Sequence, residues 1–214
     1  MNIILFGATG QIGQQILKQA LERGYKVTAF VREPSKIKAT HPNLDIKQGD
    51  ARAAQAVAEA VPGHDVVVNA MGPGGPDVSD QFLDILTEGS RHIAQAMQKA
   101  GIKRLVALGS AGTLQATLNQ LLRDMPTFPA FAHNISGAHL QAWKTYEAAG
   151  LEWTLVCPPA VVEPGERTGN YRLATDYMVE MGAMQKIASG DLADFILNEA
   201  EQGKYICHRV SLAY

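Results

Sequence analysis

The chain has 214 residues, of which 46% are hydrophobic and 19% are charged, a composition typical of a folded globular protein. Its 19 basic and 21 acidic side chains give a net charge of −2, and no basic cluster stands out along the sequence. This balance argues against nucleic acid as the main partner. The apolar runs fall far short of the roughly 20 residues that span a bilayer, and the chain starts with a strand-like run instead of a basic leader. We therefore expect neither a membrane span nor a secretory signal.

The length and the lack of a linker predict a single domain over residues 1–214. Cys157 and Cys207 both lie in strand-like apolar runs, so each is expected to be a buried free thiol. Free thiols fit a reducing compartment and predict a cytoplasmic protein. The histidines and cysteines show no spacing typical of metal ligands, so no metal site is expected.

Short apolar runs alternate with helical patterns, which predicts an α/β fold with a doubly wound parallel sheet and crossover helices. The first five strands are nearly continuous apolar runs, as in strands covered on both faces. Glycines at or near the helix ends are typical of left-handed C-caps. The predicted strands are residues 2–6, 26–31, 45–48, 65–70, 104–108, 152–157 and 204–210, and the predicted helices are residues 11–23, 53–60, 80–100, 137–149 and 190–202.

Two longer stretches, about residues 111–136 and 158–189, interrupt this alternation. Ligands of doubly wound sheets bind outside the carboxyl ends of the strands, so these stretches are predicted to cover a substrate site, the second as a small C-terminal cap. The alternative is that they are surface loops, with a short helix over residues 114–123. Phe128 and Phe131 could form a lid over an aromatic substrate or pack in the core.

The strongest motif is Gly-Ala-Thr-Gly-Gln-Ile-Gly at residues 7–13, between the first predicted strand and the first predicted helix. A dinucleotide pyrophosphate needs a sharp turn, close backbone approach without a Cβ, and helix N-terminal amides. A tight strand-to-helix turn without a ligand is the alternative. The motif predicts a Rossmann-type cofactor site whose contacts here are Gly7, Thr9, Gly10, Gln11, Ile12 and Gly13.

Basic side chains follow the second predicted strand. Arg32 and Lys36 suit a 2′-phosphate and predict NADP(H) as the cofactor. Glu33 could compete with that phosphate, and an exposed surface charge is the alternative role for Lys36.

Further cofactor contacts are predicted after the next two strands. Asp50 can place a carboxylate beside the adenine amino group, next to Ala51. Small residues and backbone approach the nicotinamide half at Ala70, Met71 and Gly72. Residues 73–76, Pro-Gly-Gly-Pro, lack the lysine of a phosphate-binding P-loop and are predicted to form a mobile loop beside the cofactor.

With these motifs, the chain resembles the atypical short-chain dehydrogenases/reductases, in the group of the NmrA-like proteins and the flavin reductases also called biliverdin reductase B. Within that group, the Gly-Leu-x-Trp strand leading to Pro158-Pro159 and the Thr-Gly-x-Tyr sequence favour the flavin reductase branch. The matching segments are residues 7–13, 32–36, 49–50, 88–97, 107–111, 149–159, 168–171 and 191–197.

Typical short-chain dehydrogenases use a Tyr-x-x-x-Lys pair, and no tyrosine here is followed by lysine four residues later. The resemblance assigns the family serine to Ser110 and places His139 at the lysine position, where the flavin reductases also carry histidine. It also adds Pro158 to the cofactor contacts. The chain departs from the group at Ala160, where those enzymes have a histidine.

Together these features predict an NADPH-dependent reductase that passes hydride to a flavin, a quinone or a similar conjugated acceptor. Ser110 would donate a hydrogen bond at the nicotinamide, and His139 would position the cofactor or stabilise developing negative charge. For Ser110 the alternative is a cap on the strand end, and for His139 a surface helix position. Trp143 and Tyr146 are expected to pack in the core or at an interface.

Two other functions stay open at this stage. One is a redox sensor that binds NADP(H) and acts through a protein partner without turnover. The other is an isomerase or epimerase that retains its nucleotide, which the missing tyrosine disfavours. The protein could be a monomer or a homodimer, with the helix over residues 80–100 as a candidate interface.

Overall fold

Strands and helices alternate along the chain in a computed structural model that describes residues 1–72, 83–181 and 184–214. The predicted mobile loop at residues 73–76 and the predicted start of the third helix at residues 80–82 lie outside the described residues. The helices are α1 (Gln11–Glu22), α2 (Ala54–Ala60), α3 (Asp84–Ala100), α4 (His133–Ala148) and α5 (Ser189–Gln202). The strands are β1 (Asn2–Phe6), β2 (Lys26–Val31), β3 (Leu44–Gln48), β4 (Val66–Asn69), β5 (Arg104–Leu108), β6 (Gln115–Thr117), β7 (Gln120–Leu121), β8 (Glu152–Cys157), β9 (Val161–Glu163), β10 (Arg172–Thr175), β11 (Lys186–Ala188) and β12 (His208–Ala213).

Eight strands form the central sheet in the order β10-β12-β8-β5-β4-β1-β2-β3. All neighbours pair in parallel except β10, which runs antiparallel to β12. From β1 the chain builds outward through β2 and β3, then crosses to β4 on the other side of β1. This reversal confirms the predicted doubly wound α/β sheet and places its ligand crevice at the carboxyl ends of β1 and β4.

Two apolar cores cover the sheet, one on each face. One core packs α1 and α5 against the sheet, with Ile16 and Phe195 among its buried side chains. The other packs α2, α3 and α4, with Val57, Ile93 and Tyr146 buried. Within the described residues, no helix combines the length and the apolar character that crossing a bilayer requires.

Three local predictions are wrong. The third strand was predicted to be covered on both faces, but β3 is an edge strand that pairs only with β2, and its Asp45 and Ile46 are exposed. The short helix that was the alternative for residues 114–123 is also wrong: this segment contains the antiparallel pair β6 and β7, and its Gln115 forms a bridge to Tyr177 in the second covering segment. The last strand starts at residue 208 instead of 204.

The late start of β12 has a specific cause at the end of α5. The backbone N–H groups of Lys204 and Tyr205 donate to the Glu199 carboxylate at 3.1 and 2.8 Å, so they form a turn instead of a ladder. Cys207 closes this turn with a φ of 61° and an exposed side chain. Its predicted burial is therefore wrong, whereas Cys157 is buried as predicted.

A buried ion pair links β5 to α5 beneath the sheet. The Arg104 guanidinium donates to the Glu199 carboxylate at 2.7 Å, and both side chains are at least nine-tenths buried. Thr154 also donates to this carboxylate, at 2.9 Å. Each oxygen of Glu199 therefore accepts from fixed donors, and the carboxylate holds the sheet, helix and turn together.

Glu199→Gln should lower the free energy of unfolding by about 3 kcal/mol, because it leaves a buried guanidinium without its charge partner. Urea unfolding followed by circular dichroism measures the loss. Glu180→Gln is the matched control, since the Arg172–Glu180 pair is more than half exposed, and it should change stability by less than about 1 kcal/mol. Equal effects of the two substitutions would contradict a special role for the buried pair.

Candidate functional site

The turn after β1 is built from backbone groups that leave no room for side chains. Gly7 has a φ of 81°, and a Cβ there would lie 2.5 Å from the carbonyl carbon of Ala70. A Cβ on Gly13 would overlap the Gly7 carbonyl. The Gly10 N–H donates to the same carbonyl at 3.0 Å. The turn, the start of α1 and the end of β4 therefore pack backbone against backbone.

The N-terminus of α1 is left open by this turn. Gly10 is the N-cap residue and supplies no side-chain cap, so the amides of the first turn have no capping side chain. Such amides bind phosphate oxygens, and the helix dipole favours negative charge there. A pyrophosphate fits this cradle of glycines and free amides. Thr9, Gln11 and Ile12 lie in it or at its edge, and Gln11 also donates to the Val162 carbonyl at 3.2 Å.

The basic residues after β2 differ in their partners. Lys36 donates to Glu33 at 2.7 Å, and both side chains are more than half exposed. The hydrogen bond from Lys36 and the charges of Lys36 and Arg32 hold the pKa of Glu33 below its usual value. Arg32 is itself exposed. A 2′-phosphate would therefore meet Arg32 directly, whereas Lys36 must first leave Glu33.

Asp50 follows β3 and is held by Arg52. Arg52 donates to both carboxylate oxygens, at 3.1 and 2.6 Å, and its backbone N–H adds a bond of 2.9 Å. The hydrogen bonds from Arg52 keep the pKa of Asp50 below its usual value. Asp50 is thus ionised and half-buried, beside the buried Ala51. A carboxylate fixed in this way still has lone pairs for an amino group.

A buried polar network supports the end of β4. The Tyr146 hydroxyl donates to Ser90 at 2.6 Å and accepts from the Asn69 amide at 2.9 Å. Asn69 in turn accepts from the Met71 backbone N–H at 3.0 Å. Burial raises the pKa of Tyr146. The only tyrosine of α4 therefore positions the Ala70–Met71 backbone and is not available as an acid, which agrees with its predicted core packing.

Ser110 follows β5 and begins a tight turn. Its hydroxyl oxygen accepts from the Gly112 N–H at 3.2 Å, and Thr113 donates to its carbonyl through both its hydroxyl and its N–H. Ser110 thus caps the end of the strand, which is the alternative role that the sequence predicted for it. The bond from Gly112 leaves the hydroxyl proton of Ser110 able to donate to a ligand.

His139 is buried on α4, so the surface position considered for it is wrong. Burial lowers the pKa of His139 to about 4, although its hydrogen bond to the Leu108 backbone alone would raise it. The ring is therefore neutral at physiological pH. Because a neutral ring carries one N–H, and the Leu108 carbonyl takes it, the second ring nitrogen is a hydrogen-bond acceptor.

A buried arginine braces the Ser110 turn from the last strand. Arg209 is 5% exposed, donates to the Thr113 carbonyl and lies over the Trp143 ring at 4.2 Å. It also pairs with Asp176 at 3.2 Å. Asp176, whose φ is 62°, accepts from the Gln115 N–H through its carbonyl. Arg209 thereby ties both covering segments to the sheet, and Trp143 packs in the core as predicted.

The Thr-Gly-x-Tyr sequence of the second covering segment is tied to α5. Asp191 is fully buried and accepts from the N–H groups of Thr168 and Gly169, each at 2.8 Å. Burial alone would raise the pKa of Asp191, but hydrogen bonds from Tyr214 and from this loop hold it below its usual value. Tyr171 donates to Asp194 at 3.2 Å. This motif therefore anchors the segment.

The predicted site residues follow the carboxyl ends of six neighbouring strands of the sheet. Because the carboxyl ends of parallel strands lie at the same end of the sheet, the structure brings these positions to a common crevice, and His139 joins them through Leu108. Gly72 and the half-buried Pro158 extend the set. Sequence reasoning missed Arg209 and Ser136, which no motif marks, and it missed the role of Ser90 as the partner of Tyr146 although Ser90 lies in a matching segment. The first predicted site residues after these six strands are Gly7, Arg32, Asp50, Ala70, Ser110 and Pro158.

Known proteins resemble the chain over its full length. The protein YwnB of Bacillus subtilis, whose name assigns no activity, is 30% identical and covers 96% of this chain and 94% of its own. A proposed epimerase from Bacteroides thetaiotaomicron has a TM-score of 0.86 at 30% identity, covering 100% and 96% of the two chains. A proposed NADH-flavin reductase from Streptococcus pneumoniae has a TM-score of 0.83 at 28% identity, covering 100% and 99%.

A protein family described as NAD(P)H-binding matches residues 7–202, which include the glycine turn, the Ser110 turn and α4. The match agrees with the Rossmann-type sheet and with the open helix terminus at Gly10. The chain belongs to this NAD(P)H-binding oxidoreductase family, with the features of an atypical short-chain dehydrogenase/reductase.

Proposed function

We propose that the protein is an NADPH-dependent reductase that transfers hydride to a flat conjugated acceptor, such as a flavin or a quinone. The observation that carries this proposal is the absence of a strong acid among the described groups around Ser110. His139 is neutral, and Tyr146 is fixed in the core. Acceptors of this class take hydride on a ring and can take the accompanying proton from solvent, so they need no tyrosine–lysine pair.

NADPH supplies the hydride when it is bound, and the chain supplies placement. The glycine turn would hold the pyrophosphate, and Arg32 the 2′-phosphate. The backbone of Ala70, Met71 and Gly72 would lie along the nicotinamide half, opposite Pro158. These groups fix a donor and leave one face of it toward the covering segments.

Ser110 and His139 have complementary roles in the proposed site. Ser110 would donate its hydroxyl proton to an acceptor oxygen or to the carboxamide oxygen. His139 would accept a hydrogen bond from a cofactor hydroxyl or amide through its unprotonated ring nitrogen, which favours positioning over stabilisation of negative charge. Both groups act without changing their own charge.

Exposed apolar side chains on the covering segments support an apolar acceptor. Of the nine large hydrophobic side chains exposed in the described part of the chain, six lie in these two segments. Such a concentration in the segments that follow the carboxyl ends of β5 and β8 is typical of a ligand-binding rim. The six are Leu118, Phe131, Leu173, Tyr177, Met181 and Met184.

A sensor that binds NADP(H) without turnover is the second candidate, since the same lack of a protein acid fits it. To separate the two, the purified protein is mixed with NADPH or NADH, and oxidation is followed at 340 nm with FMN, riboflavin or a simple quinone. A reductase oxidises NADPH only when an acceptor is present. Tight nucleotide binding with no turnover on any acceptor would favour the sensor.

In a reductase, Ser110→Ala should lower kcat/KM about tenfold, because one neutral hydrogen bond to the reacting complex is lost. The NADP+ dissociation constant should change less. Thr145→Ala is a suitable control on the outer part of α4, where its hydroxyl only bonds Gln141. If Ser110→Ala and His139→Ala both kept full turnover with every acceptor, these residues would have no catalytic role.

Cofactor preference should depend on the charges after β2. Arg32→Ala should raise the KM for NADPH about 10- to 100-fold, as expected for a lost charge-assisted bond to phosphate, and should leave the KM for NADH nearly unchanged. Glu33→Gln frees Lys36 and should lower the KM for NADPH. Steady-state kinetics with both nucleotides measure these changes. An equal effect of Arg32→Ala on NADPH and NADH would contradict a phosphate contact.

The buried neutral His139 should make the fold sensitive to acid. Its pKa is about 4 in the fold and about 6.5 in the unfolded chain. The unfolded state therefore binds the extra proton between these values, and the stability present above pH 6.5 is lost as the pH falls toward 4. His139→Gln keeps a donor and an acceptor but does not titrate. Relative to this variant, the free energy of unfolding of the wild type should fall by about 3 kcal/mol between pH 7 and pH 4.

Urea unfolding of both proteins at pH 7, 5 and 4 gives this difference, in which the other histidines cancel. The same neutrality predicts that kcat has no step between pH 5.5 and 8 attributable to His139. A step near pH 6.5 in the wild type that His139→Gln removes would show that the ring is protonated in the working site.

A further inference from the structure

One hydroxyl at the start of α4 is buried and has no hydrogen-bond partner. Ser136 is 0% exposed, and its Oγ makes no hydrogen bond within the described chain. An unpaired buried hydroxyl destabilises a fold, and such a group is explained when a partner arrives in another state. Ser136 lies one turn before His139 on the same helix.

The Ser136 hydroxyl points at the backbone of Gly112. A Cβ on Gly112 would overlap the Ser136 Oγ, so only glycine permits this approach. The Gly112 N–H also donates to the Ser110 hydroxyl. Two serine hydroxyls from different elements therefore contact one glycine, directly after the carboxyl end of β5.

An aromatic ring closes this place from the other direction. The Cζ atom of Phe128 would lie 2.7 Å from a Cβ on Gly112, so the ring tip lies against the same glycine. Phe128 is half-buried and packs edge-to-face on His133, which is exposed, with ring centroids 5.1 Å apart. Its backbone N–H closes a turn to Met125 at 3.0 Å. The ring thus contacts the Gly112 backbone and an exposed histidine, and its own backbone lies in a turn.

We propose that Gly112, Ser136 and Phe128 form the subsite for the ring of a flat conjugated acceptor that bears a carbonyl group. The Ser136 hydroxyl donates to that carbonyl. The Phe128 ring covers the hydroxyl in this structure and gives way when the acceptor binds.

The chemistry of the three groups selects this ligand class. An unpaired hydroxyl beside a second hydroxyl that can still donate suits an acceptor oxygen. The space against Gly112 already accommodates an aromatic ring, so another flat ring can replace it. Quinones and flavins combine a flat ring with carbonyl oxygens. This inference rests on the proposed function for the identity of the acceptor, and it adds the residues that recognise it.

Ser136→Ala tests the subsite because it should make the fold more stable and acceptor binding weaker. Removing an unpaired buried hydroxyl should raise the melting temperature by about 2 to 4 °C. The dissociation constant of riboflavin for the NADP+-loaded protein should rise about three- to tenfold, as for one lost hydrogen bond, while that of NADP+ stays the same. A merely structural serine would lose stability.

Ser211→Ala is the matched control for the stability measurement. Ser211 is also buried, but its hydroxyl donates to the Tyr177 carbonyl at 2.7 Å. Its removal should lower the melting temperature. If Ser136→Ala also lowers it, or leaves riboflavin and menadione binding unchanged, the subsite is overturned.

Phe128→Ala tests whether the ring holds the place of the acceptor. Removing the ring abolishes its displacement, so riboflavin should bind about two- to fivefold more tightly to the NADP+-loaded protein. Weaker binding would overturn the displacement. These titrations need no turnover: acceptor binding that Ser136→Ala weakens, without NADPH oxidation, would refute the reductase and support the subsite. Turnover with an acceptor KM that Ser136→Ala leaves unchanged would support the reductase and refute the subsite.

Discussion

The close approach of three backbone segments at the glycine turn is the constraint on which the cofactor crevice depends. Gly7 lies against Ala70, and the Gly7 carbonyl occupies the place of a side chain at Gly13. These contacts fix α1 relative to β1 and β4, the two strands between which the sheet reverses direction. Any Cβ at either glycine would push the helix from the sheet and move its free amides. The phosphate site and the topology of the fold are therefore one geometric requirement.

Two of the ionised side chains predicted to lie at the crevice are already paired with neighbours. Lys36 is held by Glu33, and Asp50 by Arg52. Among the described residues, the groups proposed to face the acceptor are uncharged: serine hydroxyls and the neutral ring of His139. Such groups orient ligands through hydrogen bonds but supply little acid or base strength. In the proposed reductase, this division would leave the redox chemistry to the nicotinamide and would select acceptors that need no strong acid.

The hydrophobic pattern and the glycine spacing correctly predicted features that depend on neighbouring residues in the chain. Strands β2 and β8 have the predicted bounds, and the glycine turn has the geometry that its spacing requires. Predictions failed where distant partners compete for backbone groups. Glu199 takes the amides of residues 204 and 205, which the apolar pattern assigned to the last strand. Ser136 carries no motif at all, because its meaning comes from a missing partner that only the packed structure reveals.

The two covering segments differ in how firmly they are held. Asp191 and Arg209 anchor the second segment and the Ser110 turn through buried charge-assisted bonds, which exchange for water only at high cost. The contacts of Phe128 carry no charge: its backbone lies in a turn, and its ring lies against Gly112 and edge-to-face on an exposed histidine. A ligand can therefore displace this ring without breaking a buried ion pair. In the proposed reductase, cofactor binding would therefore rely on fixed backbone and acceptor binding on the side chains around Phe128, so that substitutions there would change acceptor preference and leave the nucleotide site intact.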